Sequence, residues 1–356
     1  MKKADFEKKK ILVAMSGGLD SSIAAWLLKE KGHDVTGVTM DMGLNGGRGG
    51  GREGADAVTK AARVCEHLSI PHITLEVADL FEKRVIGKFA FEYSRGRTPN
   101  PCIDCNRYLK FGVLLEETLK MGFDHLATGH YARIDHAEGR WRLLRPLDSA
   151  KDQTYFLYRI RRVDLPHLLF PLGSSRKSEV RLMAERLSLP LALNEESQDI
   201  CFIPDGDYRA LLSDLSVCSE PGDIVDVSGR VIGRHRGIVN YTVGQRGGLG
   251  ISTPRPLHVI SIDAMNNRVV VGHKEDLYSR MLIAGDLNLM RETLPERATA
   301  KIRYRKRFAS CSVERRGDRA VVLFDEPQDS ITPGQAVVFY DGAEVLGGGV
   351  IERSLP

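Results

Sequence analysis

Short apolar runs alternate with amphipathic segments along the first part of the chain. Residues 11–15 read ILVAM, the composition of a strand buried on both faces, and residues 21–31 place Ile23, Leu27 and Leu28 on one helical face. The same reasoning predicts strands over 34–40, 72–77 and 124–128, and helices over 56–68 and 107–121. This order predicts an α/β fold with a doubly wound parallel sheet, in which ligands bind at the carboxyl ends of the strands.

The pattern changes to β-hairpins after about residue 204. Turn dipeptides stand between β-rich runs at Ser228-Gly229, Asn266-Asn267 and Asp341-Gly342, which predicts hairpins over 223–234, 258–272 and 335–351. We therefore expect a catalytic domain over 1–208, a small β-rich linker domain over 209–277 and a C-terminal β-barrel over 278–356. The glycine-rich segment 43–54 cannot pack a core and is predicted to be a mobile loop.

Composition narrows the class of protein. The 356 residues allow two or three domains, and no apolar run approaches the ~18 residues that span a bilayer. We expect a cytoplasmic protein with no membrane partner. A net charge of +4 permits a nucleic-acid partner without indicating one. Six cysteines in a chain of this size do not indicate a disulfide framework, and clustered cysteines in a reducing compartment indicate metal or sulfur chemistry.

A glycine loop of sequence SGGLDSS, residues 16–22, follows the first predicted strand. Two glycines let an anion approach the backbone, and the N-terminus of the next helix favours negative charge. Asp20 suits either a magnesium ion beside phosphates or a helix cap. No Gly-Lys-Ser/Thr follows, so this is not a Walker A loop. It resembles the PP-loop of ATP pyrophosphatases, which implies cleavage between the α and β phosphates and an adenylated intermediate.

Two further segments carry cysteines in polar surroundings. In TPNPCIDCNR, residues 98–107, the prolines predict an extended loop and Asn106 a cap for the next helix. Cys105 would then lie at a helix N-terminus, which lowers a thiol pKa and favours the thiolate near neutral pH. A third cysteine, Cys201, stands in ESQDICFIP, residues 196–204. Cys65, Cys218 and Cys311 are interpreted as small buried hydrophobes.

These segments, together with GHYAR (129–133), KDQTYFL (151–157) and YTVGQR (241–246), resemble the tRNA-specific 2-thiouridylase family in that family's order over nearly the whole chain. The resemblance implies an adenine nucleotide α-hydrolase-like first domain. It further implies a tRNA substrate with uridine at the wobble position, ATP with Mg²⁺, and a sulfur-relay protein that delivers persulfide.

The family's functional residues are carried over by position. The resemblance implies a catalytic thiol at Cys105, a persulfide carrier at Cys201, and a catalytic or magnesium-binding carboxylate at Asp20. It implies ATP binding by Ala14, Met15, Ser16, Gly17, Gly18, Leu19, Asp20, Ser21, Met40 and Gly129. It implies contacts with tRNA by Asn100, Pro101, Cys102, His130, Lys151, Asp152, Gln153, Arg303, Tyr304 and Gln335, of which residues 100–102 would face the target base.

Several of these residues have a simpler interpretation. Lys151 and Asp152 would also suit a solvated turn, His130 a core histidine, and Gln335 a turn of the barrel. Residues 303–307, RYRKR, would place several cations on one face if they form a strand, which suits phosphates, although such a run taken alone is slightly more often a solvated face. The sequence departs from the family at Cys102, where many members have aspartate, and in the glycine-rich stretch after Met40.

The chemistry that the resemblance implies leaves two sulfur schemes open. AMP transfer to O2 of uracil would create a leaving group, and a sulfur nucleophile would then attack C2. In one scheme Cys201 carries a persulfide that Cys105 reduces. In the other, Cys102, Cys105 and Cys201 ligate an iron–sulfur cluster whose open iron holds hydrosulfide. Zinc ranks below both schemes because no partner histidine is evident.

Two other classes of protein compete with a thiouridylase. Another PP-loop enzyme that adenylates a small molecule would leave the three cysteines and the barrel unused. A non-catalytic tRNA-binding protein with a structural metal would leave the glycine loop unused.

Overall fold

The computed structural model describes residues 7–44, 53–189, 200–203, 206–217 and 220–355. Most of the predicted mobile loop 43–54, the segment 196–199 and Cys218 therefore lie outside the described residues. The chain divides into two compact units. The first comprises Met1–Arg84, Cys102–Asp205 and Ala343–Val345, and the second comprises Val85–Pro101, Gly206–Gly342 and Leu346–Pro356.

The first unit is built on a parallel sheet, as the sequence predicts. Its strands are β1 (Lys10–Ala14), β2 (Asp34–Asp41), β3 (His72–Glu76), β4 (His125–Thr128), β5 (Arg133–Ala137), β6 (Arg140–Leu144) and β7 (Leu168–Leu169). Five of them form the sheet in the order β3-β2-β1-β4-β7. Strand β1 is central and its residues Ile11, Leu12 and Val13 are fully buried, because neighbouring layers cover both faces of the sheet. Strands β5 and β6 form an antiparallel hairpin that the sequence analysis did not predict.

Nine α-helices occur among the described residues. They are α1 (Leu19–Glu30), α2 (Glu53–His67), α3 (Ala78–Phe81), α4 (Gly87–Ser94), α5 (Pro101–Asp104), α6 (Leu115–Lys120), α7 (Thr154–Leu157), α8 (Lys177–Arg186) and α9 (Tyr208–Asp214). Two π-helices join them, Glu82–Ile86 and Cys105–Leu114. Short 3-10 turns cover Ser149–Lys151, Arg162–His167, Ile238–Asn240 and Lys274–Leu277.

The predicted helix over 107–121 begins earlier than expected. It starts at Pro101 with α5, continues as the π-helix Cys105–Leu114 and ends with α6 at Lys120. Proline is well suited to the first helical position, where no N–H donor is needed. The extended loop predicted up to Asn106 therefore ends before Pro101, and Cys102 and Cys105 both lie inside the helical segment.

The second unit contains a mixed sheet and a barrel. Strands β8 (Gly222–Asp226), β9 (Val231–His235), β10 (His258–Asp263) and β11 (Arg268–Gly272) form a sheet of order β10-β11-β8-β9. The two predicted hairpins are present as the antiparallel pairs β8–β9 and β10–β11, whereas β8 and β11 run parallel. The proposed boundaries at residues 208 and 277 stay predictions.

The barrel has six strands: β12 (Tyr278–Leu289), β13 (Arg297–Lys301), β14 (Ala309–Arg316), β15 (Arg319–Asp329), β16 (Ala336–Asp341) and β17 (Glu344–Leu355). Their order is β12-β15-β14-β13-β16-β17, and antiparallel pairing of β12 with β17 closes the barrel as expected. One expectation is wrong here. Strand β13 ends at Lys301, so the basic residues 303–307 form a turn and not a strand with one cationic face.

Within the residues that the structure describes, no helix is long and apolar enough to cross a membrane.

Candidate active site

The carboxyl ends of three adjacent strands bring together the residues implied to bind ATP. Strand β1 ends at Ala14, which lies in register with Val38 of β2 and Thr128 of β4. Residues 15–21 follow β1, Met40 lies near the end of β2, and Gly129 follows β4 directly. In a parallel sheet this edge is where ligands bind.

Two positions at this edge of the sheet require glycine, because neighbouring atoms leave no room for a side chain. Gly17 has φ +72°, and a Cβ there would lie 2.7 Å from Lys60 Cβ. A Cβ on Gly129 would lie 2.7 Å from the Ser21 amide nitrogen. Gly18 precedes α1 and offers no side-chain cap to its amides. The first turn of α1 is therefore open to an anion from the backbone side.

The loop hydroxyls bond mainly to the loop itself. Ser21 Oγ and Ser22 Oγ donate to the Gly18 carbonyl at 3.0 and 2.9 Å, and Ser22 is fully buried. Ser16 is exposed, and its Oγ lies 3.3 Å from Ser21 Oγ. Ser16 therefore remains the hydroxyl best placed to meet a ligand, whereas Ser21 and Ser22 fix the shape of the loop.

Asp20 is held by an ion pair and a hydrogen bond. Lys177 Nζ donates to both carboxylate oxygens, at 2.7 and 2.8 Å, and the Tyr131 hydroxyl donates to Oδ1 at 2.9 Å. The Lys177 side chain is only 10% exposed, against 35% for Asp20. Asp20 is thus not a side-chain cap of α1. It is an oriented carboxylate with a buried cation behind it.

Lys177 is a residue that the sequence analysis missed. It begins α8, and its backbone N–H donates to Asp148 Oδ2 at 2.9 Å. A lysine at the first helical position opposes the helix dipole, so its presence there indicates another use for its charge. This unfavourable placement of a lysine at the start of a helix is the feature of the sequence that could have indicated a functional role for Lys177.

The structure overturns the expected environment of Cys105. This thiol lies inside the helical segment, is buried, and has a raised pKa because of desolvation, with Asp104 acting in the same direction. Asn106 does not cap a helix either. Its Nδ2 donates to the Phe156 carbonyl at 3.2 Å, and its buried Oδ1 has no hydrogen-bond partner among the described residues.

The other two cysteines share this electrostatic environment. Desolvation and the neighbouring Cys105 raise the pKa of Cys102 to about 11. The pKa of Cys201 is raised to about 12 by desolvation, then by Cys105 and Cys102. Cys201 is exposed as a residue, which argues for weak desolvation. The neighbouring Cys105 and Cys102 also raise its pKa. Lys110, on the same π-helix as Cys105, lowers all three values.

Phe202 anchors the short described segment around Cys201. Its ring is buried and meets Phe81 of α3 edge-on at a centroid distance of 5.5 Å. Ile203 is buried as well. The exposed Cys201 is therefore carried next to a fixed apolar residue.

The arrangement of the cysteines does not fit a metal cluster as it stands. Over the described ranges, no group of three His, Cys, Asp or Glu side chains is placed to hold a metal ion. In the described residues, Cys102, Cys105 and Cys201 are therefore present as separate thiols.

His130 is packed as a core histidine would be. Its ring lies between Phe111 and Phe170 at centroid distances of 5.9 and 6.2 Å, and its Nδ1 lies 2.8 Å from Thr128 Oγ1. Burial, aided by Lys110, holds the pKa of His130 well below its usual range. The neutral ring thus offers no charge to a phosphate.

Two residues of the segment 151–153 are used inside the fold. Asp152 is buried, and its carboxylate accepts from Arg145 Nε at 2.8 Å and from the Thr154 backbone N–H at 3.0 Å. Gln153 Oε1 accepts from the Tyr131 backbone N–H at 2.8 Å. The Asp152 carboxylate is therefore used inside the fold, and the predicted contact of residues 151–153 with tRNA stays a prediction.

In the second unit, the side chains of Arg303 and Gln335 donate hydrogen bonds to backbone carbonyls of the protein. Arg303 donates to the carbonyls of Ser330 and Val243 at 3.0 and 3.2 Å. Gln335 Nε2 donates to the Thr98 carbonyl at 2.8 Å. The Lys301 ammonium lies over the Tyr304 ring, with Nζ 5.5 Å from the ring centroid. Asn100 and Pro101 continue the segment that Gln335 holds.

Comparison with known proteins agrees with this architecture. Family models described as tRNA methyl transferase HUP domain, tRNA methyl transferase PRC-barrel domain and aminomethyltransferase beta-barrel domain match residues 9–205, 214–273 and 279–351.

Curated proteins named tRNA-specific 2-thiouridylase MnmA are similar over their whole length. The one from Syntrophus aciditrophicus is 54% identical, over 98% of this chain and 94% of the relative. Those from Carboxydothermus hydrogenoformans and Caldanaerobacter subterraneus are 48% and 46% identical, over 98% and 97% of this chain and 99% and 98% of the relatives. The chain belongs to the MnmA family of tRNA-specific 2-thiouridylases.

Proposed function

We propose that the protein converts the wobble uridine of tRNA to 2-thiouridine at the expense of ATP. The observation that carries the proposal is the open glycine loop at the ends of β1, β2 and β4, with Asp20 oriented beside it by Lys177. O2 of the uracil would attack the α-phosphate and release pyrophosphate, leaving AMP on the base. The amides of α1 and the Lys177 ammonium would balance the phosphate charge.

Magnesium would enter with ATP as part of the substrate. It binds proteins through one or two carboxylates and completes its shell with phosphates and water. Asp20 is a carboxylate of the loop itself and is one-third exposed, so it fits that requirement. Ser16 would add a hydroxyl donor to the phosphates.

For the sulfur step, the described residues favour the scheme with two cysteines. A sulfur-relay protein would load a persulfide on the exposed Cys201. The terminal sulfur would attack C2 and expel AMP, which leaves the base joined to Cys201 through a disulfide. Cys105 Sγ would then attack Cys201 Sγ as the Cys105 thiol proton passes to the departing thiouracil, so that a Cys105–Cys201 disulfide forms and 2-thiouridine is released. A thiol reductant would restore both thiols for the next turnover.

The target base would have to leave the anticodon stack to react, which costs a few kcal/mol. Asn100, Pro101 and Cys102 would receive it. Lys151 and the exposed Arg305 of the turn 303–307 would contact phosphates, because both are cations that the fold leaves at the surface or near it.

The test is to incubate the protein with ATP, a persulfide donor and unmodified tRNA, and to digest the tRNA to nucleosides. We expect pyrophosphate release that depends on tRNA, and 2-thiouridine among the nucleosides. Pyrophosphate released equally without tRNA would indicate a small-molecule substrate. A methylated uridine formed in place of 2-thiouridine would contradict sulfur transfer.

A further inference from the structure

A turn at the edge of the barrel holds the segment that precedes the proposed base-binding residues. Gln335 Nε2 donates to the Thr98 carbonyl at 2.8 Å and to the Pro99 carbonyl at 3.4 Å. The Thr98 backbone N–H in turn donates to the Pro333 carbonyl at 2.9 Å. The turn thus forms hydrogen bonds with both the N–H and the carbonyl of Thr98.

The turn itself is rigid and shaped for this contact. The Gly334 N–H donates to the Ile351 carbonyl at 2.9 Å, and the Ile351 N–H donates to the Gln335 carbonyl at 2.8 Å. Gly334 has φ +92°, and a Cβ there would lie 2.8 Å from the Thr98 amide nitrogen and 3.0 Å from its carbonyl carbon. Only glycine combines this backbone conformation with so close an approach.

We infer that Gly334 and Gln335 are positioning residues for the target base, acting through Thr98. Thr98 and Pro99 run directly into Asn100, Pro101 and Cys102, and both prolines have a fixed φ. An orientation set at Thr98 is therefore passed along the chain with few free torsions. Gln335 holds this segment through its amide group, whose nitrogen donates to the Thr98 and Pro99 carbonyls. The inference rests on the proposed function, because it assumes that residues 100–102 receive the uracil.

The test compares Gly334→Ala and Gln335→Met with a matched control, Gly342→Ala. Gly342 also has positive φ, +56°, but a Cβ there meets nothing within 4 Å, so this control introduces an alanine at positive φ without the collision. Gln335→Met keeps the side-chain length and removes the donor. Hydrogen exchange is followed at the Thr98 amide, alongside the Kd for tRNA and the single-turnover rate of thiolation at saturating tRNA.

We expect faster exchange at Thr98 in both test variants. Their single-turnover rate should fall by roughly ten- to a hundredfold, the range expected when a reacting group is displaced by about 1 Å, with Kd for tRNA nearly unchanged. Gly342→Ala should match the wild type in exchange and rate. If Gly334→Ala fails to fold, Gln335→Met alone decides.

Wild-type exchange at Thr98 in Gln335→Met would overturn the inference. So would a loss that appears only in Kd for tRNA, because it would make Gln335 a direct contact. If the wild type forms no 2-thiouridine, the proposed function is wrong. Faster exchange at Thr98 in the variants would in that case still show that the turn holds the segment.

Discussion

Lys177 Nζ bonds both carboxylate oxygens of Asp20, at 2.7 and 2.8 Å, immediately beside the first turn of α1. The two residues are far apart in sequence and come from different helices. Tyr131, which is buried, donates to the same carboxylate. The carboxylate of Asp20 is partly exposed beside the loop, where it would meet magnesium, and the buried Lys177 ammonium behind it adds positive charge near the phosphates.

Lys177→Met should therefore suppress adenylation. Removing one preorganised charge from a phosphate site costs on the order of a hundred- to a thousandfold in rate. The measurement is tRNA-dependent pyrophosphate release with ATP titrated to saturation. Lys120→Met is the matched control, because Lys120 forms an exposed pair with Glu117 whose loss has little effect. Equal rates for Lys177→Met and the wild type would remove Lys177 from the site.

The turn 303–307 should contribute to tRNA binding through Arg305 and not through Arg303. Arg305 is exposed, whereas Arg303 bonds the carbonyls of Val243 and Ser330. Arg305→Gln should weaken tRNA binding and reduce the slope of log K against log salt by nearly one unit, as for one lost phosphate contact. Arg303→Gln should instead lower the melting temperature. If Arg305→Gln leaves the salt slope unchanged, Arg305 does not contact a phosphate and the turn is simply solvated.

Strands β1 to β4 and helices α1 and α2 could be predicted because their patterns are local, whereas β5 to β7 and the helices α3, α4 and α7 to α9 were not predicted. The apolar run of β1 and the spacing of Ile23 and Leu28 in α1 are each sufficient for their element. The pairing of Asp20 with Lys177 could not be predicted, because it joins residues of distant segments. The Cys105 environment was predicted wrongly for a physical reason. Asn106 suggested an N-cap, but the helix had already begun at Pro101, so burial and not the helix dipole sets the thiol pKa.

The raised thiol pKa values predict a steep pH dependence of cysteine reactivity. Only the thiolate is nucleophilic, so alkylation of Cys102, whose pKa is about 11, should rise about tenfold per pH unit from pH 7 to about pH 10. The sign follows from the upward shift, which keeps the thiol protonated past its ordinary range. Pulse alkylation with mass spectrometry measures it, with unfolded protein as the control, in which the rise should level off above pH ~8.5. A plateau near that pH in the folded protein would contradict the shift.

Cys102 decides between the two sulfur schemes. With two reacting cysteines, Cys105→Ala and Cys201→Ala should abolish 2-thiouridine formation but retain tRNA-dependent pyrophosphate release, because adenylation uses the glycine loop. Cys102→Ala should keep most of the thiolation. Its thiol has no step in the scheme with two reacting cysteines, in which Cys201 carries the sulfur and Cys105 releases it.

The measurement is iron and sulfide content together with 2-thiouridine formation, for anaerobically prepared wild type and the three alanine variants. We expect thiolation from a persulfide donor that does not follow iron content. Iron bound by the wild type, and lost together with activity in Cys102→Ala, would instead require three thiolate ligands. The cysteines would then have to move into an arrangement that the described residues do not form, since no three of their ligating side chains are placed to hold a metal.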